Sequence, residues 1–144
     1  MKMFKYTYAL LILVFLFAPA RAMESGEVMK HLDADGWKVM VHLRAIPEEH
    51  REMAKATHHI SITATDKKGN QVTDAVVTFE FVRADKVVAE GEAKYMGDMG
   101  GEHAMHNGHY GADLTLPAPG EYTLNIKLVK GKTTRKASTT IEAP

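Results

Sequence analysis

The sequence predicts an all-β chain, an antiparallel β-sandwich of about seven strands, and three observations carry that prediction. Beyond residue 36, apolar and polar residues alternate through most of the chain, the period of two of a half-buried strand. The alternating runs are short and divided by turn chemistry at Lys68-Gly69-Asn70, Ala84-Asp85-Lys86, Pro117 to Gly120 and Lys130-Gly131. Gly120-Glu121-Tyr122 stands just before a strand, the usual setting of a tyrosine corner, which makes the sandwich immunoglobulin-like. With no cysteine in the chain, a Cys…Trp…Cys pattern is absent and an antibody-type domain is excluded.

The elements follow in order. Residues 23–35 are polar and mixed, and read as an N-terminal arm. Gly36 opens the first strand, with Trp37, Val39, Val41 and Leu43 on one face and Lys38, Met40, His42 and Arg44 on the other. Pro47 with Glu48 and Glu49 behind it fits a helix of one or two turns up to Ala56 after that strand, with a loop as the alternative. His58 to Thr65 is the second strand, Ala75 to Val82 the third and Val87 to Tyr95 the fourth. Tyr110 to Leu116, Tyr122 to Leu128 and Thr133 to Ile141 complete the set. No internal repeat is present.

The first 22 residues are expected to be a signal peptide. Lys2 and Lys5 form a positive n-region, Tyr8 to Ala18 is apolar but short for a bilayer span, and Ala20-Arg21-Ala22 is a small-x-small cleavage site. An uncleaved anchor is the alternative. The expected domain organisation is thus a signal over 1–22, an arm over 23–35 and one sandwich domain over 36–144, in a periplasmic protein. The mature 122 residues suffice for one real core. They carry 15 basic and 18 acidic residues, a balance that argues against a nucleic-acid partner. The missing cysteines exclude a disulfide scaffold, a thiolate metal site and a cysteine nucleophile.

Chemistry concentrates in Met96 to His109, MGDMGGEHAMHNGH. Met96, Met99, His103, Met105, His106 and His109 are six of the mature chain's fifteen methionines and histidines, gathered in fourteen residues. Thioethers and imidazoles are soft to borderline ligands, which select copper over calcium or magnesium. Cu(I) would favour the methionines, and Cu(II) the imidazoles with oxygens of Asp98 or Glu102. Strand alternation adds anchors. His59 and His109 fall on polar strand faces, whereas His58 shares the face of Ile60 and Ile62 and points to the core. The expected metal ligands are therefore His59, Met96, Met99, His103, Met105, His106 and His109, with His58 a further candidate. The loop is expected to cover a site rooted in the strands and to add ligands to it.

Asp74-Ala75-x-Val77-x-Phe79, the Met/Gly/His linker, Gly108-His109-Tyr110-Gly111-Ala112 and Pro119-Gly120-x-Tyr122-Thr123-Leu124 occur in that order. This series resembles the YtkA/FixH-like family of exported bacterial immunoglobulin-like domains, over roughly His58 to Ile141. The resemblance implies copper handling or cytochrome oxidase assembly. The His-Tyr-Gly-Ala stretch is also similar to periplasmic iron-transport proteins that bind copper through Met and His on such a sandwich.

No catalytic constellation stands out: no serine lies in a Gly-x-Ser-x-Gly turn, and no glycine loop cradles a phosphate ahead of a helix. The expected function is non-enzymatic, a copper chaperone or scavenger passing metal to a membrane transporter or an oxidase-assembly partner. An iron or zinc accessory protein of a transporter, and a metal-free interaction module of a membrane complex, stand as the alternatives.

Overall fold

A computed structural model describes residues 26–97 and 108–144. Residues 1–22, expected to be a signal, and Met99, His103, Met105 and His106 lie outside the described residues. Eight antiparallel strands follow one another as β1 (Glu27–Ala34), β2 (Trp37–Ala45), β3 (His58–Thr65), β4 (Val76–Arg83), β5 (Lys86–Met96), β6 (His109–Leu114), β7 (Gly120–Lys130) and β8 (Thr133–Ala143). One short helix, α1 (Glu48–Ala54), joins β2 to β3. No described helix is long and apolar enough to cross a membrane.

The strands run in the order β1-β2-β3-β6-β5-β4-β7-β8. β5 belongs to both faces of the sandwich. Its first part, from Lys86 to Ala93, pairs with β4, and its end, from Lys94 to Met96, pairs with β6. At the far corner β1 lies against β8, so the two sheets curl toward a barrel-like closure. The alternation places Val39, Val41, Leu43, Ile60, Ile62, Val77, Phe79, Phe81, Leu124, Ile126, Leu128 and Ile141 in one buried layer between the sheets. Edge-on contacts run through it from Phe79 to Phe81 at 6.0 Å and from Phe81 to Tyr122 at 6.1 Å.

Each turn uses the backbone its residues permit. Ala84 and Asp85 both take positive φ, 50° and 59°, as a tight β4–β5 hairpin requires. Tyr122 forms the expected corner: its hydroxyl donates to the Ala118 carbonyl and accepts from the Ala118 amide at 3.4 Å and from Arg83 Nη1 at 3.2 Å.

One strand differs from expectation. Glu27–Ala34, inside the stretch read as an arm, is β1, paired residue for residue with β2. Its inward row is Val28, Lys30, Leu32 and Ala34, and the lysine breaks the apolar alternation. Asp35-Gly36 is the stronger clue: both residues have positive φ, 54° and 92°, the Asp-Gly pair of a two-residue hairpin turn. Asp33 Oδ1 accepts the Gly36 amide at 2.7 Å and fastens that turn.

Candidate functional site

The outward residues of β1, β2, β3 and β6 line a groove of about 760 Å³, among them Glu27, Met29, Met40, His42, His59 and His109. Its floor is set by the ladder. His59 stands opposite Asp113, Ser61 opposite Gly111, and Met96 on β5 opposite His109 on β6. Met96 and His109 are thus direct cross-strand partners although they bound a fourteen-residue segment. Both ends of the Met/His-rich segment are therefore anchored beside the groove.

Three of the expected ligands come together here. A Cβ built on Gly111 would stand 3.0 Å from Met96 Cε, 3.1 Å from Met96 Sδ and 3.3 Å from His59 Cε1. Only glycine leaves that space, and the thioether and the imidazole fill it from the strands on either side of β6. The ring of His109 meets that of His59 edge-on, with centroids 6.4 Å apart. Met96 is 39% exposed, well open to solvent for a methionine at a strand end.

His59 is held by a carboxylate. Its Nδ1 lies 2.6 Å from Asp113 Oδ1, and because an ionised carboxylate only accepts, Nδ1 carries the proton. With that proton on Nδ1, Nε2 is the nitrogen that can offer a lone pair, the arrangement that orients and strengthens histidine ligands. Beneath the site, buried Tyr110 sits between His109 and Gly111. Its hydroxyl donates to the Val72 carbonyl at 3.0 Å and accepts the Ala75 amide at 3.0 Å. Burial pushes this phenol above its usual range, so it stays a neutral donor. Tyr95 packs on it at 5.2 Å, and Gln71 donates to the Gly108 carbonyl, which fixes the entry of the chain into β6.

His58 goes elsewhere. It points into the core, 4% exposed, as its strand face requires, on the opposite side of β3 from His59. Its Nε2 donates to the main-chain oxygen of Pro144 at 2.9 Å, and its Nδ1 accepts from the Thr57 hydroxyl at 2.7 Å. With both nitrogens engaged, the structure does not bring it to the groove. Burial holds its pKa below the ordinary 6.5, and the neutral ring matches these two bonds.

Sequence reasoning left His42 and Met40 as polar-face residues, yet both line the groove with His59 and His109. His42 Nε2 lies 3.2 Å from Glu27 Oε2 on the neighbouring strand. The missing signal was β1, since without the Asp35-Gly36 hairpin neither Glu27 nor Met29 has a place on this face. Among the described residues, no three histidine or carboxylate side chains gather closely enough to hold an ion by themselves. Among the described residues, the Met96 thioether is the further donor beside the two imidazoles. The cradle over Gly111 and its donor set, one soft sulfur with imidazole nitrogen, fit copper.

No protein-family model matches the chain, and no curated protein matches it. The YtkA/FixH-like resemblance therefore rests on the motifs alone. Among solved structures, the chain is similar to "as isolated" FetP of a uropathogenic Escherichia coli strain, recombinantly expressed in the E. coli periplasm. The TM-score is 0.58 at 16% identity, over 81% of this chain and 95% of that one. A copper-bound variant of the same FetP matches with a TM-score of 0.59 at 16% identity, over 81% of this chain and 97% of that one. At this identity the likeness establishes that the two proteins share a fold.

Proposed function

We propose that the chain is an exported metal-binding protein whose cargo is copper, held at the Met96–His59–His109 corner of the groove and passed on without catalysis. The observation that carries this reading is the convergence of the Met96 sulfur and the His59 ring on the space above Gly111. Asp113 keeps His59 in the tautomer that offers Nε2, and His109 supplies a second imidazole beside it. A thioether with two imidazoles suits Cu(I), and it does so without a thiol that an oxidising compartment would convert to disulfide. The copper-bound state of the fold neighbour supports the choice of metal. The charged and apolar pattern of residues 1–22 supports export to the periplasm.

Iron or zinc is less well served, because those ions would draw on histidines and carboxylates, and no three of these gather among the described residues. Met99, His103, Met105 and His106 remain donors by composition, in the segment bounded by Met96 and His109 at the corner itself. A membrane transporter or an oxidase-assembly factor is the class of partner that would receive the ion.

Anaerobic titration with Cu(I) against a chromophoric competitor tests the reading. The expected result is one tight equivalent that weakens at least tenfold in Met96→Leu. Tight binding that Met96→Leu leaves unchanged would overturn the assignment. Absence of transition-metal binding below micromolar would favour the metal-free interaction module.

A further inference from the structure

The β1–β2 hairpin carries a second set of donors outside the Gly111 corner. Its outward face alternates Glu27, Met29, His31, Asp33 on β1 and Lys38, Met40, His42, Arg44 on β2. The register pairs Met29 with His42 and His31 with Met40. Two methionines and two histidines therefore occupy the four corners of a cross-strand square, each sulfur residue beside an imidazole residue in both directions. Directly paired Cβ atoms stand roughly 5 Å apart and i, i+2 neighbours about 7 Å apart, well within the reach of four long side chains.

Packing does not account for the square. Met29 is 54% exposed, and Met40 and His42 line the groove rather than the core. Methionine on a solvent-facing strand gains little from burial, and here two of them flank each other diagonally. The square also repeats the device of the first corner: His42 Nε2 meets Glu27 Oε2 at 3.2 Å, as His59 Nδ1 meets Asp113. A carboxylate that accepts the proton of one ring nitrogen leaves the other nitrogen, Nδ1 of His42, as a lone pair facing away from it.

We propose that Met29, His31, Met40 and His42 form a second site for a soft monovalent cation such as Cu(I), distinct from the Met96 corner. The square is centred between β1 and β2 and the corner over β6, roughly 12 Å apart across the sheet, with His42 and His59 on paired strands as their nearest members. The groove connects the two: Met40 pairs with Thr63 and His42 with Ser61, and both of those β3 residues line it beside His59 and His109. The square supplies a loading position from which an ion moves along the groove to the Met96 corner. This deepens the copper reading but stands on different residues.

Methyl NMR of protein labelled at the methionine ε-methyls, titrated with silver(I) as a diamagnetic stand-in for Cu(I), separates the two sites. In Met96→Leu, the Met29 and Met40 methyls should shift and saturate with one equivalent. Combined His31→Ala and His42→Ala should weaken that event at least tenfold, while the Met96 methyl still responds in the chain that retains it. Met29 and Met40 methyls that stay unmoved while the Met96 methyl saturates would overturn the second site and leave the first intact. Shifts at Met29 and Met40 without any at Met96 would support the square and sink the Gly111 corner.

Discussion

Met96 and His59, on strands that flank β6 from opposite sides, meet over Gly111, where a Cβ would stand 3.1 Å from the sulfur and 3.3 Å from the ring. Neither residue is near the other in sequence, and the glycine between their strands is what lets them share one space.

Gly111→Ala therefore separates metal binding from folding. The added methyl presses on the flexible end of Met96, which swings aside at little cost, so the melting temperature should fall by only a few degrees. The displaced thioether no longer faces His59, and Cu(I) affinity should drop at least tenfold, about 1.4 kcal/mol. Competitive titration beside a thermal melt checks both halves.

Asp113 acts through His59. Asp113→Ala removes the acceptor that fixes the Nδ1–H tautomer, and metal affinity should fall by about 10- to 100-fold, the usual cost of losing such a partner. Asp113→Asn keeps an oxygen for the same hydrogen bond and should recover part of the loss.

His58 makes stability depend on pH. Its native pKa lies below the ordinary 6.5, so between the two values the unfolded chain binds a proton that the native chain does not. Its contribution is whole above about pH 6.5 and is lost as pH falls toward the native pKa. Urea midpoints measured on either side of that value should show this decline. His58→Gln should start less stable on the alkaline side and show a shallower decline.

The two buried tyrosines give a contrast. Tyr122→Phe removes the corner hydroxyl that ties Ala118 and Arg83, and should cost about 1–3 kcal/mol without changing Cu(I) affinity. Tyr110→Phe loses a comparable pair of bonds, to Val72 and Ala75, directly beneath the proposed metal corner. It should cost similar stability and also weaken Cu(I) binding. Urea melts paired with competitive titration check both variants.

Seven of the eight strands are legible, most of them because one face is buried and burial imposes the period of two on the sequence, and β5, where only Ala93 is buried, through the turn at Ala84-Asp85-Lys86 before it. The same alternation told His58 from His59, since adjacent residues on a strand must point to opposite faces. β1 was hidden because Lys30 sits in its inward row between Val28 and Leu32. That His59 and His109 face outward was legible, but not that they and Met96 adjoin. Periodicity assigns a face, while strand order decides which faces adjoin, and only the β3-β6-β5 order puts His59 and Met96 on either side of Gly111. His42 escaped for the same reason, since its partner Glu27 lies on the strand that the pattern concealed.

The most direct test of the central claim is X-ray absorption at the copper edge on Met29→Leu/Met40→Leu protein loaded with one equivalent of Cu(I), compared with and without the further change Met96→Leu. Mixed sulfur and nitrogen ligation is expected where Met96 is present, with one sulfur lost and the histidine nitrogens retained where it is replaced. Identical sulfur counts in the two, at equal affinity, would contradict it.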